Sequence, residues 1–343
     1  MLRERLTQVA PLVAVDTGQH YDHALHQIHY EQLGVRRPDA FLGVGSGSHG
    51  QQTAAILRAC EDWIARHTPR LAVVIGDTNS TLACTLAAAA ARVPVAHVEA
   101  GLRATDRRMA EEINRRVVDA VADVLYAPCE RVAALLRGER PEAVVEQVGD
   151  ISYDVLRGNL GRVPVPEAVS GYDPAWGSRF AFVTLHRPEL VEVPERLRAV
   201  MGALKTAGVA CLFAAHPRTA AALERFGIVT NGRIRRIPPV GYLESLALLQ
   251  RAGVVVTDSG GLQREAYWLG VPCVTVRDET EWLETVTLGA NRLIAPDRAA
   301  ALPDAIATAL GAGRADASWD RGAYGDGRAA DRIAASLAAW AGA

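Results

Sequence analysis

Acidic and imidazole side chains stand directly behind runs of β-forming residues at several points of the chain: Asp77 after AVVIG, Glu99 after VPVAHV, His186 after FAFVTL and His216 after CLFAA. Glu111 opens a further charged run, EEINRR. Carboxylates and imidazoles gathered in one site can take a proton from one atom and deliver it to another, the work of general acid and base catalysis. A second chemistry lies in VVVTDSGGLQREA, where an apolar run passes through Ser259, Gly260 and Gly261 into a helix-like stretch. Small residues there let a phosphate approach free N–H groups at the positive end of a helix. Glu265 stands on the first turns of that helix, within reach of a ribose diol or serving as ordinary helix-start charge. Arg218 in HPRT and Arg277 in RDETEW suit a diphosphate, or ion pairs that fix their loops.

These residues need elements to hold them. Short β-rich runs alternate with longer amphipathic ones, the pattern of βαβ units and parallel sheets. LVAVDTG, LAVVIGDTN, VPVAHVEAG and DVLYAPC are the strands of a first half, and FAFVTLHRPE, ACLFAAHPR, IRRIPPVGY, AGVVVTDSGG and VPCVTVRDETE those of a second. We therefore expect a domain over 1–160, a proline-bearing linker over 161–178, a second domain over 179–325, and a helix over 326–343 able to pack back on the first domain. In parallel sheets ligands sit at the carboxyl ends of strands, where the polar clusters stand, so one cleft between two domains is the expected site.

Composition narrows the classes. The 343 residues carry 49% hydrophobic and 22% charged side chains with a net charge of -2, an ordinary globular balance that excludes a basic nucleic-acid binder. Five cysteines without a CxxC pair argue against a disulfide framework and a zinc site, and fit a cytoplasmic protein. The longest apolar run, TLACTLAAAAA, ends at Arg92, short of the ~20 residues of a membrane span. GVGSGSHG, 43–50, fits the dinucleotide fingerprint through Gly45, Gly47 and Gly50, but AFLGV before it is a poor strand and no acidic residue closes a following strand. A glycine loop leading into a helix from Gln51 is the better reading.

GDTNSTLA, HVEAGLR, EEINRR, VGDISYDVL, VTLHRPE, HPRT, DSGGLQREA and VRDETEW, in this order over nearly the whole chain, resemble the non-hydrolysing UDP-N-acetylglucosamine 2-epimerases. The resemblance implies an α/β fold of two Rossmann-like domains of the glycosyltransferase-B type, with the active site in the interdomain cleft and UDP held by the second domain. It implies no metal and no cofactor, a UDP-sugar as substrate, and a homodimer without nucleic-acid or membrane partners. It places the catalytic positions on Asp77, Glu99, Glu111 and His186, with Arg103 and Asp106 as their frame. It leaves Glu112, Arg115 and Arg116 to structural ion pairs. UDP would be bound by Ser259, Gly260, Gly261 and Glu265, helped by Arg218, Tyr242 and Arg277. TGQHYD matches a segment near an activating nucleotide sugar in bacterial members, so Gln19 and His20 are candidates for allostery or for a structural turn.

Three departures matter. The family begins with a strand and GTRPE, whereas this sequence starts at MLRERLTQVAPLV, so either the true start lies upstream or the domain has lost its first strand and a phosphate ligand. Ala110 stands where proline usually precedes EEINR, and Leu190 replaces the asparagine after HRPE. The functions in competition are epimerisation of UDP-N-acetylglucosamine, epimerisation of a modified UDP-sugar, hydrolysis to N-acetylmannosamine and UDP, glycosyl transfer, and non-catalytic nucleotide-sugar sensing.

Overall fold

The computed structural model describes residues 1–19, 33–230, 232–313 and 319–342. The chain forms two compact units, Met1–Gly158 with Gly322–Ala343, and Asn159–Arg321. Among the described residues no helix is long and apolar enough to cross a membrane.

The first unit begins with helix α1 (Leu2–Val9) and a short parallel pair, β1 (Val15–Asp16) with β2 (Ala40–Phe41). Helix α2 (His49–His67) follows the glycine loop, starting two residues earlier than the sequence suggested because Ser48 caps it in a reciprocal box with Gln51. A four-stranded parallel sheet then runs in chain order through β3 (Ala72–Ile75), β4 (Val95–Val98), β5 (Val124–Ala127) and β6 (Val144–Gln147). Every residue of β4 and β5 is buried, as expected of strands covered on both faces. The connecting helices are α3 (Asn79–Ala90), α4 (Ala110–Val121) and α5 (Glu130–Glu139), with α6 (Ile151–Asn159) after β6. The alanine-rich sequence of α3 buries Ala83, Ala87 and Ala88. With so little side chain at the contact, α2 can pack close to it.

The second unit carries six parallel strands: β7 (Phe180–Thr184), β8 (Ala210–Ala214), β9 (Ile234–Ile237), β10 (Val254–Thr257), β11 (Cys273–Thr275) and β12 (Asn291–Leu293). Their spatial order is β12-β11-β10-β7-β8-β9, so the direction of winding reverses between β7 and β10. That is the doubly wound order with its switch point, where a ligand crevice opens. Residues 161–178 fall inside this unit, and Tyr172 and Trp176 lay their rings on Phe180, 5.6 and 5.8 Å between centroids. Helices α7 (Pro188–Val191), α8 (Pro194–Thr206), α9 (Pro217–Arg225), α10 (Tyr242–Arg251), α11 (Gly260–Leu269), α12 (Leu283–Thr287) and α13 (Leu302–Ala312) cover the sheet.

The chain ends in α14 (Ala329–Gly342), which belongs to the first unit. Ile333, Ala334 and Leu337 join a core with Leu2, Leu6, Val98 and Tyr126. Asp154 fixes the start of α14: its two carboxylate oxygens accept the N–H groups of Ala329 and Ala330 at 3.0 and 2.9 Å. Asp154→Ala leaves two helix-start donors unsatisfied, and we expect about 1–3 kcal/mol of lost stability in chemical denaturation. An unchanged midpoint would show that α14 is held by its apolar face alone.

Candidate active site

Asp77 follows β3 after Gly76, whose φ of +71° turns the chain sharply. Arg115 of α4 grips it, with Nε and Nη2 at 2.9 and 2.7 Å from Asp77 Oδ2. The neighbouring Asn114 donates to the Asp77 backbone carbonyl at 2.8 Å. Helix α4 thus orients both the carboxylate and the turn that carries it.

Glu99 follows β4 at φ +71°, a left-handed conformation for a residue with a β-carbon. Such backbone costs about 1–2 kcal/mol and persists only where its surroundings enforce it. Gly101, at φ +82°, completes the turn, and a β-carbon there would lie 2.5 Å from Val132.

Glu111 and Glu112 are adjacent on the first turn of α4 and have opposite surroundings. Glu112 is fully buried, accepting the Ala104 N–H at 2.7 Å and Arg116 Nε at 2.6 Å, with Arg115 Nη1 at 3.5 Å. Glu111 is partly exposed, and among the described residues nothing pairs with its carboxylate. A carboxylate without a fixed partner is available to move a proton; one holding three donors is not.

Arg103 is engaged by protein groups: Nη1 donates to Asp119 Oδ2 at 2.6 Å and to the Leu102 carbonyl at 2.9 Å, and Nη2 to Glu139 at 2.6 Å. Asp106 accepts from the N–H and Nε of Arg108 at 3.0 and 2.9 Å, contacts that hold its carboxyl below the usual range. Gln19 Oε1 accepts from the Ser80 N–H and hydroxyl at 2.9 and 2.6 Å. Its backbone carbonyl takes Gln52 Nε2 at 3.1 Å. These bonds tie the loop after β1 to the start of α3; His20 lies outside the described residues.

In the second unit the polar groups meet at the switch point. Asp258, the residue after β10, is fully buried. Its Oδ2 accepts the N–H groups of His186 and Arg187, each at 2.8 Å, and Oδ1 lies 3.0 Å from His186 Nδ1. One carboxylate therefore holds the loop behind β7 and leaves His186 Nε2 available. Ser259 caps α11 by accepting the Leu262 N–H at 3.4 Å. A pocket of about 280 Å³ is lined by Thr184, His186, His216, Ser259, Gly261 and Glu265, among others. A β-carbon at Gly261 would make only an ordinary contact, 3.8 Å to Ser259 Oγ, whereas Gly260 packs so tightly that a β-carbon would lie 3.1 Å from Trp282 Nε1.

Arg218, Tyr242, Gly260 and Arg277 do not line this pocket. Tyr242 is hydrogen-bonded to Glu265, and burial first, then the Glu265 charge, pushes its phenol far up. Arg277 pairs with Glu281 at 3.1 and 3.3 Å. Arg218 reaches Glu192 only at 4.0 Å and is half exposed. Its backbone N–H donates to His216 Nδ1 at 3.2 Å, which leaves Nε2 as the protonated nitrogen of the neutral ring. Partial burial, followed by the nearby His186 and Arg218, lowers the His216 pKa below 6.5. Folding therefore favours the neutral ring: the stability His216 contributes is complete above 6.5 and declines as pH falls through its lower folded value. Proton NMR of the ring should show a titration midpoint below 6.5; a midpoint above it would contradict this environment.

The family model of UDP-N-acetylglucosamine 2-epimerase matches residues 5–338. The chain belongs to this family. A UDP-2,3-diacetamido-2,3-dideoxy-D-glucuronate 2-epimerase of Pseudomonas aeruginosa is 42% identical over 332 residues, covering 95% of this chain and 91% of that protein. The UDP-N-acetylglucosamine 2-epimerase of Methanocaldococcus jannaschii is 38% identical over 330 residues, covering 93% and 89%. A crystal structure of the M. jannaschii enzyme in complex with UDP-GlcNAc and UDP covers 98% of this chain and 94% of its own at 35% identity, with a TM-score of 0.85. The glycosyltransferase-B type of fold follows from these neighbours. A trehalose 6-phosphate synthase of Burkholderia multivorans shares that fold at a TM-score of 0.53 and 15% identity.

Within this epimerase family the departures acquire locations. Leu190 is 1% exposed and packs among Leu185, Val191 and Leu197 in the core of the second unit. Ala110 opens α4 without a side-chain cap from Met109. Three residues to which the sequence pattern gives no site role organise the candidate groups within their own units. Asp258 precedes the three small residues of DSGG, whose types signal a phosphate site and leave the carboxylate before them without a local signal. Arg115 makes the ion pairs expected of it, and one of its partners is Asp77. His97 opens HVEAGLR, and a polar residue at the buried centre of a strand is the signal for it.

Proposed function

We propose that the protein inverts C2 of a UDP-2-acetamido sugar, taking UDP-N-acetylglucosamine to UDP-N-acetylmannosamine by elimination and re-addition of UDP. The observation that carries this reading is Glu111, unpaired among the described residues, beside the fully engaged Glu112, on the same helix that grips Asp77. The C2 proton has no neighbouring carbonyl, so its loss must accompany departure of UDP from C1, forming the C1–C2 double bond of 2-acetamidoglucal. Return of UDP to C1, with a proton delivered to the opposite face of C2, balances the cycle. Glu99 and Glu111 carry the protons, and Asp77, held by Arg115, completes the acid and base set. In the second unit the N-terminus of α11, Ser259 and His186 stabilise the departing diphosphate, and Glu265 takes the ribose hydroxyls.

A second reading is epimerisation of UDP-2,3-diacetamido-2,3-dideoxy-D-glucuronate, favoured by the 42% identity to the Pseudomonas aeruginosa protein. Both substrates should be incubated in deuterium oxide and followed by NMR. Deuterium at C2 with the manno isomer supports epimerisation, and the faster substrate decides between the readings. Free N-acetylmannosamine with UDP would show hydrolysis instead, and a bound but unaltered substrate would sink the enzymatic reading.

A further inference from the structure

His97 is the buried polar residue at the centre of β4, with no exposed surface. Its Nε2 lies 2.8 Å from the carbonyl of Gly76, the residue before Asp77, and its Nδ1 lies 2.7 Å from Asp119 Oδ1. Both are acceptors, so full pairing requires an N–H on each ring nitrogen. Asp119 sits on α4, two helical turns beyond Glu111. Its second oxygen, Oδ2, accepts the Gly101 N–H at 3.0 Å and Arg103 Nη1 at 2.6 Å, both from the turn that begins at Glu99. One carboxylate thus joins the three segments that carry Asp77, Glu99 and Glu111.

We propose that Asp119 is a positioning residue for proton transfer: through His97 it fixes the Asp77 turn, and through Gly101 and Arg103 it enforces the left-handed backbone of Glu99. The inference rests on the epimerase reading, in which those carboxylates act on the sugar. A buried charge pair is a weak source of net stability, since desolvation offsets most of its attraction. What it supplies is a unique arrangement, and a left-handed glutamate needs one. The Asp119 carboxyl accordingly lies below its usual range: burial pulls it up, and His97 with Arg103 outweighs that pull.

The test is Asp119→Asn in the full chain. Asparagine keeps the size and can accept from His97, but its NH₂ group meets two donors, the Gly101 N–H and Arg103. We expect kcat for C2 exchange to fall about a hundredfold, the effect of misplacing reacting groups by about 1 Å. KM and UDP affinity should stay within about threefold of wild type, and unfolding should stay cooperative. Asp123→Asn serves as the control: Asp123 Oδ2 accepts the Val95 N–H of the same sheet at 2.8 Å and touches neither turn. It should lower stability and leave kcat unchanged. Wild-type kcat in Asp119→Asn, or an equal loss in both variants, overturns the proposal. If the wild-type protein itself shows no exchange, the epimerase reading falls, and a crystal structure of Asp119→Asn decides the inference. Departure of Glu99 from positive φ supports it, and an unmoved turn overturns it.

Discussion

Glu111→Gln should reduce deuterium incorporation at C2 by a factor of about 100 to 10,000, the range a positioned acid or base contributes, while UDP affinity stays at the wild-type level. The expectation is specific because this carboxylate makes no pairing among the described residues, so replacing it removes proton-transfer capacity without breaking a structural bond. Its neighbour is the internal comparison. Glu112→Gln weakens the charge-assisted bonds to Arg116 and Arg115 in a site with no exposure. It should therefore appear first as a lowered unfolding midpoint. If Glu111→Gln exchanges at the wild-type rate with a normal midpoint, the proton is carried by another group and the assignment of Glu111 is wrong.

The second large effect is expected at Asp258. Asp258→Ala removes the acceptor of two buried-side N–H groups and the partner of His186 Nδ1 in one step. Unsatisfied donors and a lost charged partner together cost roughly 2–5 kcal/mol. The loop behind β7 should also release His186, so UDP affinity should fall together with stability. Asp258→Asn separates the two consequences: it retains one oxygen for the backbone N–H groups but no negative charge for His186. Its stability should lie near wild type and its turnover well below. Calorimetric titration with UDP and a denaturation curve on each variant check both statements. Tight UDP binding by Asp258→Ala would show that the loop is held by other contacts.

The alternation of strand and helix made the parallel α/β architecture of both halves legible, because a strand buried on both faces reads as a continuous apolar run, as in VVVT and VLYA. Carboxylates behind strands were legible for the same reason, since the end of such a run is visible in one dimension. Partnerships between distant segments were not. Glu111 and Glu112 are the same residue type side by side, and only the Ala104 amide and the two arginines separate their work. Asp258 reaches residues 71 and 72 positions away, and Asp119 one 22 away, so neither role follows from local spacing. Nor does local preference reveal the left-handed Glu99, which the packing of Gly101 against Val132 and Leu136 helps to impose.

Helix α14 also bears on the order in which the protein is completed. The second unit is one continuous stretch, Asn159–Arg321, whereas the first needs Gly322–Ala343 to finish its core around Leu2, Leu6 and Tyr126. During synthesis the later-made unit therefore has all its residues first. The earlier-made unit must wait, with part of its apolar surface uncovered, until α14 leaves the ribosome. The Asp154 contacts with Ala329 and Ala330 can form only after the second unit has been made, and they join the two parts of a unit that the second one interrupts.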